Sequence, residues 1–574
     1  MITDADIGEK LLKEQEDKRD QEQYFIDDDG FLCRWKSVGD GFVPIRLSNF
    51  AAHIVDEIAE DDGIEIKTLY GIEGTTNGKC LPRVEIPASQ FNAMNWLSKW
   101  GSQCIIEPGQ ATRDYLRHAI QKRSSGIGRQ TFFTHTGWRR INHKWAYLTA
   151  SGAIGADHVS VRLSKELEYV SLPNIPENET EAIKVSLSFL DIAPHNITIP
   201  MYSYLYLAPL TTIINPMPNF VQYLHGITGV KKTTLAMLAL SHFGSTDGIA
   251  LSNFEDSANA IEKKSFTLKD MLHIVDDYCP SYRKTDAQSK EHTAQRIIRA
   301  YSNRTGRHRL YSDTTERGAY APRGLLLVTG EELPMLQSTN ARMSVVELSH
   351  GDLDKAKLTQ LQQKAELLPH AMSSYINWFS SNLTDIKKTF PEHFRRLRDK
   401  AYKEGHHAKL PEQTAFFQFS WETVLSWLTD KKVLTDEQAQ AKTNEGWTIF
   451  TELAEKQSKR IDKEDPVRRF REIVQTLIIQ ERIKLTHKNN SAYIIGNEKA
   501  ELLGYFDDLY MYFIPTALWN TLQRYCIAEG SHFPFTNQTF YRMLKSRNLI
   551  DVGKGTTTKE EWIVGKTRRV LKIT

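Results

Sequence analysis

The stretch Phe220 to Phe243, FVQYLHGITGVKKTTLAMLALSHF, reads as a strand, a tight turn and an amphipathic helix in that order. Its turn runs Gly226-Ile-Thr-Gly-Val-Lys-Lys-Thr-Thr234. Backbone N–H groups at a helix N-terminus surround phosphate. A lysine in the turn reaches the β/γ oxygens, and a Ser/Thr hydroxyl after it ligates magnesium. Lys232 and Thr233 hold those two places relative to Gly226. The candidate phosphate-binding set is therefore Gly226, Thr228, Gly229, Val230, Lys231, Lys232, Thr233 and Thr234. One position departs from the pattern G-x-x-x-x-G-K-[ST]: Lys231 stands where a glycine precedes the lysine. The bland alternative is a lysine-rich helix start after a turn.

Working outward, Lys269 to Asp277 (KDMLHIVDD) is an apolar strand ending in two carboxylates. Beside such a loop the first, Asp276, is expected to join Thr233 in holding Mg²⁺, and the second, Asp277, to orient the attacking water. An exposed Asp-Asp turn before Tyr278 and Pro280 is the competing reading. Leu325 to Val328 is a buried strand ending in Thr329-Gly330-Glu331, where a polar residue can touch the γ-phosphate or the attacking water, and Thr329 is the candidate sensor. Arg342 immediately precedes the strand Val345 to Leu348. From there an arginine can enter a neighbouring subunit's site and stabilise transition-state charge, although a surface arginine fits the same position. The catalytic candidates are Lys232, Asp277, Thr329 and Arg342.

The 574 residues imply about three or four folding units. A net charge of +2, with 40% hydrophobic and 25% charged residues, is that of a globular chain without a global polycationic field. Five scattered cysteines form no Cys-x-x-Cys pair, which argues against a zinc ribbon or a secreted disulfide framework. The acidic start lacks an apolar signal region, and no apolar run reaches the roughly 18 residues of a membrane span. A cytoplasmic protein with no membrane partner is expected.

The chain divides into a charged segment (1–22), an α+β domain (23–172), a Pro/Asn/acid-rich linker (173–182), a parallel α/β core (183–355), a helical lid or linker (356–465) and a C-terminal region (466–574). In the last, a helix from Thr516 to Ala528, a second capped by Thr536 and a basic hairpin give a winged-helix-like plan. Gln538, Tyr541, Arg542 and Lys545 are expected to face outward there. Arg542, Lys545, Lys566 and Arg568 are its candidate DNA contacts, and a protein-interaction module is the alternative.

GITGVKKTTLAMLALSHFG, LHIVDDYCP, RAYSNRTGRHRL, PRGLLLVTGEELP and ARMSVVEL together resemble the ATPase core of a domain-of-unknown-function family of bacterial mobile elements. Its members include helicases similar to the minichromosome-maintenance type. The resemblance spans roughly residues 24 to 350, with Thr136-Gly137-Trp138 in its upstream part, and a Gly-x-Thr-Gly-x-x-Lys-[Ser/Thr] loop is an accepted variant there. It implies a multidomain α/β protein with a P-loop AAA+ core, ATP and Mg²⁺ as cofactors, a homo-hexameric ring and DNA as substrate. In helicases of this type and of viral superfamily three, a basic hairpin before the sensing strand grips the DNA backbone. Arg307, Arg309 and Arg317 are the matching candidates, with Arg307 to Ser312 and Gly318 to Pro322 as its arms.

The expectation is an ATP-driven DNA helicase or translocase serving replication of a mobile element alongside that element's other replication proteins. The alternatives are a nucleotide-switched initiator or regulator that does not unwind, and an inactive ATPase acting as a scaffold.

Overall fold

The computed structural model describes residues 23–573, apart from 40, 280–282, 307–308, 311–315, 318, 335–336, 464, 530–532, 534 and 554. At 284, 309–310, 316–317 and 337 it describes the backbone alone.

The N-terminal part is built on antiparallel hairpins. Phe50–Asp61 pairs with Ile66–Thr76, which pairs with Lys79–Pro87, and Gly128–Phe133 and Ser160–Val161 extend the sheet on its other side. Alternation along Phe50–Asp61 turns Phe50, Ala52, Ile54 and Ile58 inward, as a half-buried sheet requires. Phe50, Ala52 and Ile54 meet Trp96, Trp100, Leu116 and Ile120 in one cluster.

A second, three-stranded sheet (Gly137–Ile141, Lys144–Thr149, Gly152–Ile154) behaves differently. Its Trp138 and Tyr147 pack into the same apolar cluster as the central α/β unit and the helices up to Leu453. The joint is fixed by Asp270, fully buried with φ +55. Its carboxylate accepts from Trp138 N–H (3.0 Å), Thr212 N–H and Oγ1–H (2.8 Å each) and Lys269 Nζ (2.9 Å). A buried charge is tolerated when it is this fully paired.

The central sheet has five parallel strands: β1 (Val221–His225), β2 (Ser252–Asn253), β3 (Leu272–Tyr278), β4 (Leu325–Gly330) and β5 (Met343–Glu347). Their spatial order is β2-β3-β4-β1-β5. Nearly continuous apolar runs such as Leu325–Val328 are what a parallel sheet covered on both faces needs. The connecting segments include α1 (His195–Leu207, before β1), α2 (Lys232–Leu240), α3 (Ala258–Thr267) and α4 (Lys284–Asn303). Three long helices follow, α5 (Leu368–Ala401), α6 (Lys409–Asp430) and α7 (Asp436–Lys463), and they pack around α1. Ser203 Oγ–H donates to Phe417 C=O and Ser420 Oγ–H to Ser203 C=O, both at 2.7 Å, so α1 and α6 lie backbone to backbone.

The C-terminal region has a separate core: α8 (Pro466–Ile479), a six-stranded mixed sheet, α9 (Pro515–Ala528) and α10 (Asn537–Ser546). Thr536 caps α10 by accepting from Thr539 N–H. Gln538 and Arg542 face solvent, but Tyr541 does not: it is buried, and its hydroxyl donates to Pro515 C=O at 2.7 Å. The expected outward stripe is therefore corrected at that residue, because its ring fills the seam between α9 and α10.

Candidate nucleotide site

The loop from Gly226 to Lys231 crosses from the C-terminal end of β1 to the start of α2. A Cβ on Gly226 would lie 2.4 Å from Leu348 C=O, so only glycine lets the chain pass there. Lys231, the departure from the motif, is exposed and takes φ +66, ψ +35, the left-handed conformation that a glycine adopts freely. The side chain thus costs about 1 kcal/mol of backbone strain without changing the turn's path. Lys232 is buried to 8% exposure, and its Nζ donates to Gly226 C=O (2.7 Å) and Ile227 C=O (3.0 Å). Its charge is thereby held inside the loop, beneath the free N–H groups that open α2.

β3 delivers the carboxylates. Its register against β4 slips between Val275 and Tyr278, and Asp277 adopts φ +61. A bulge of this kind re-aims side chains, and here two successive aspartates come to serve one site. Thr233 Oγ1 lies 3.0 Å from both carboxylate oxygens of Asp276. Thr329 Oγ1–H donates to Asp276 Oδ1 while the same oxygen accepts from Asp277 N–H at 3.1 Å. A hydroxyl and a carboxylate at a helix N-terminus are hard oxygen donors, the set that suits Mg²⁺. The structure thus brings Thr233, Asp276, Asp277 and Thr329 together beside Lys232.

Glu331, at the polar end of the Leu325–Val328 strand, and residues not singled out from sequence complete the surroundings. Glu331, just past β4, accepts from Thr228 Oγ1–H, and its carbonyl lies 3.1 Å from His225 Nε2, tying the loop to the end of β4. A cleft of about 410 Å³ opens over Thr233, Asp276 and Asp277 and is bounded by Asn253, Glu255 and Lys290. Lys290 Nζ, from α4, is 3.4 Å from Glu255 and 3.8 Å from Cys279 Sγ, and that thiol lies 3.5 Å from Asp277 Oδ2. Burial and the Asp277 charge raise the Cys279 pKa. Nothing in a linear motif marks Lys290, because it reaches the cleft only through the packing of α4.

Arg342 is not brought to these residues. Its carbonyl accepts from Val221 N–H (2.9 Å), which places it where β1 begins. The P-loop follows the other end of β1, about 15 Å away along a strand of this length. There Arg342 adjoins Arg299, Lys409 and His407. Burial first, and then the neighbouring cations, lower the pKa values of Arg342, Lys409 and His407.

The arginine-rich stretch is also divided. Arg304 donates to the carbonyls of Pro218 and Gly324, Arg323 to those of Phe266 and Asp62, and Arg296 pairs with Glu262. These three anchor the segment internally. Between them Arg309–Leu310 pairs antiparallel with Glu316–Arg317, so the return arm begins earlier than Gly318. Arg309 and Arg317 are direct cross-strand partners, whereas Arg307 and most of the acidic tip lie outside the described residues. In the C-terminal region Lys545 Nζ donates to Gly553 and Thr556 carbonyls (2.8 and 2.7 Å). Arg542 and Lys566 are exposed, and Arg568 sits 5.3 Å from the Tyr505 ring centre.

Among the described residues no helix is long and apolar enough to cross a membrane. No protein-family model matches the chain, and no curated protein matches it in sequence. Among solved structures, SCCmec type IV Cch, described as an active helicase, is similar at TM-score 0.57 and 12% identity, over 96% of this chain and 97% of that one. The apo A form of the NrS-1 C-terminal region matches at TM-score 0.30 and 10% identity, covering 90% and 96% of the two chains. A structure of JCV helicase with a bound substituted acetamide matches at TM-score 0.23 and 13% identity, covering 43% and 64%. Those two scores are too low to bear on the fold. Over nearly its whole length, the chain shares its fold with SCCmec type IV Cch.

Proposed function

We propose that the chain is an ATP-dependent DNA helicase or translocase with an AAA+ core, working in the cytoplasm as a homo-hexameric ring in the replication of a bacterial mobile element. The observation that carries this reading is the connected set Thr233–Asp276–Thr329–Asp277 at the C-terminal edge of a parallel sheet, directly beside the P-loop lysine. The likeness in fold to a structure described as an active helicase supports it.

Mg²⁺ bound with ATP would neutralise charge on the β/γ oxygens. Thr233 and Asp276 would hold it, and the N–H groups from Thr228 to Thr234 would surround the phosphates, with Lys232 offering its ammonium. Thr329 fixes the carboxylate of one aspartate and the backbone of the next. Asp277 is thereby left to accept a proton from the attacking water. Arg342, a strand's length from its own site, acts on the nucleotide of a neighbouring protomer. For DNA, the short antiparallel pair Arg309–Leu310 and Glu316–Arg317 is the candidate basic hairpin that meets the phosphates. Arg307, Arg542, Lys545, Lys566 and Arg568 supply further phosphate contacts, the last four from a winged-helix-like region.

Strand separation on a forked duplex, compared between the natural chain and Lys232→Ala, tests the reading. ATP-dependent unwinding lost in the variant is expected. Assembly that depends on ATP without any unwinding would instead identify a nucleotide-switched initiator, a reading that strained Lys231 in the loop favours. Absence of nucleotide binding would remove both.

A further inference from the structure

The C-terminal region closes with a β-hairpin in which Lys559–Ile563 pairs with Lys566–Ile573, and the first of these strands is the outer edge of the six-stranded sheet. Three observations set its tip apart. Trp562 is 65% exposed and is the only exposed tryptophan among the described residues. Leaving so large an apolar ring in water forgoes a substantial burial energy. The turn Val564-Gly565 has φ of +46 and +73. Glycine takes that conformation freely, but for a β-branched valine it is a true outlier, and Asn-Gly would make the same turn at lower cost. Val564 is itself exposed, so burial does not offset the strain. Strain kept without a packing reason is a mark of a functional segment. Lastly, Val564 N–H donates to Lys488 C=O (3.1 Å), which fastens the tip to the 488–493 turn carrying the exposed Tyr493.

The surroundings discriminate between partners. On its face of the hairpin Trp562 lies opposite Thr567, with Glu560 and Arg569 as the next cross-strand pair. A flat ring whose neighbours on that face of the hairpin are Thr567, Glu560 and Arg569 is a poor seat for a protein's apolar patch and a good one for a base, whose rim stays hydrated while its π-face is covered. The hairpin carries Lys559, Lys566, Arg568, Arg569 and Lys572 against Glu560 and Glu561; Lys559 and Lys572 are engaged by Asp551 and Glu561, which leaves Lys566, Arg568 and Arg569 against Glu560. The balance favours a polyanion.

We propose that Trp562 is a stacking platform for an unpaired DNA base, with Lys566 and Arg569 meeting the phosphates on either side. This rests on the reading of the chain as a DNA motor and adds to it a contact specific to single strands. Sequence-tolerant base–aromatic stacking is the usual way such strands are held.

The test uses the full chain. Its binding to single-stranded oligothymidine and to a blunt duplex is measured by anisotropy, with iodide quenching of tryptophan emission read alongside. Trp562→Ala should weaken oligothymidine binding about tenfold, while Trp562→Phe keeps most of the affinity, and neither should change duplex binding or DNA-free ATP hydrolysis. Oligothymidine should shield one tryptophan from iodide in the natural chain and none in Trp562→Phe. Equal oligothymidine binding by Trp562→Ala and the natural chain overturns the stacking site alone, and so does an equal loss on duplex. A loss of self-association with DNA binding intact identifies a protein interface instead. A natural chain that binds no DNA removes the functional reading and this one together.

Discussion

Thr329 joins the two aspartates of β3: its hydroxyl donates to the Asp276 carboxylate and accepts the backbone N–H of Asp277. The residue expected to sense phosphate is thus also the brace of the acidic pair. Replacing it with valine keeps its shape and deletes both bonds. Thr329→Val is expected to lower kcat for ATP hydrolysis by about 100-fold while ATP affinity changes little. Steady-state kinetics with a nucleotide-binding titration checks this, and a purely affinity-based loss would count against the brace.

Arg342 stands at the opposite edge of the sheet from its own P-loop. Arg342→Ala should therefore bind ATP normally and lose about 1000-fold in hydrolysis. Mixing it with Lys232→Ala should restore part of the activity, because mixed rings contain interfaces with one intact loop and one intact arginine. Failure of mixing to restore any turnover would place the arginine's role within its own protomer.

Lys231 adopts the left-handed conformation at the start of α2. Lys231→Gly should raise stability by about 1 kcal/mol, since the strain of a side chain there is removed. Urea unfolding reads the change. A less stable variant would mean that the Lys231 side chain makes a contribution larger than its strain.

Three buried histidines make stability depend on pH. Burial pushes the pKa of His135 and His273 down to about 3 and that of His242 to about 4. His273 shows why neutrality is enforced: its ring nitrogens lie among the hydroxyls of Ser252, Ser265 and Tyr301, at 3.1 to 3.2 Å, with no carboxylate beside them. Below pH 6.5 the unfolded chain binds protons that the folded one refuses, so stability falls as pH falls. Each histidine contributes about 1.4 kcal/mol per pH unit in that window, down to its folded pKa. Unfolding measured from pH 7.5 to 5 should show this decline, and His273→Gln should make it shallower. A flat profile would contradict the neutral burial.

The strand, turn and helix around Gly226 and the carboxylate-ended strand were legible because their signals are local: the turn is made by consecutive residues, and Asp276 and Asp277 end an apolar run. The bulge that re-aims them was not legible, since it arises from the register of β3 against β4. Lys290 was missed for a similar reason, as it reaches the site through the packing of α4. Among the arginines, charge alone did not separate Arg304 and Arg323, which bind buried carbonyls, from Arg309 and Arg317 on the hairpin. Tyr541 misled because helical periodicity marks it as a flank residue, whereas a hydroxyl able to reach Pro515 C=O lets its ring be buried. The packing of the Gly137–Ile154 sheet against the central core depends on Asp270, whose four donors come from three separate stretches of chain. Asp270→Ala would leave those donors unpaired and is expected to cost about 3 kcal/mol or more in urea unfolding.

The most direct test of the central claim is Mg²⁺-dependent ATP hydrolysis with and without single-stranded DNA, measured for the natural chain and for Asp276→Asn. Hydrolysis that DNA stimulates in the natural chain, and that the variant loses at every DNA concentration, is expected. Equal hydrolysis by the two proteins, or turnover indifferent to both Mg²⁺ and DNA, would contradict it.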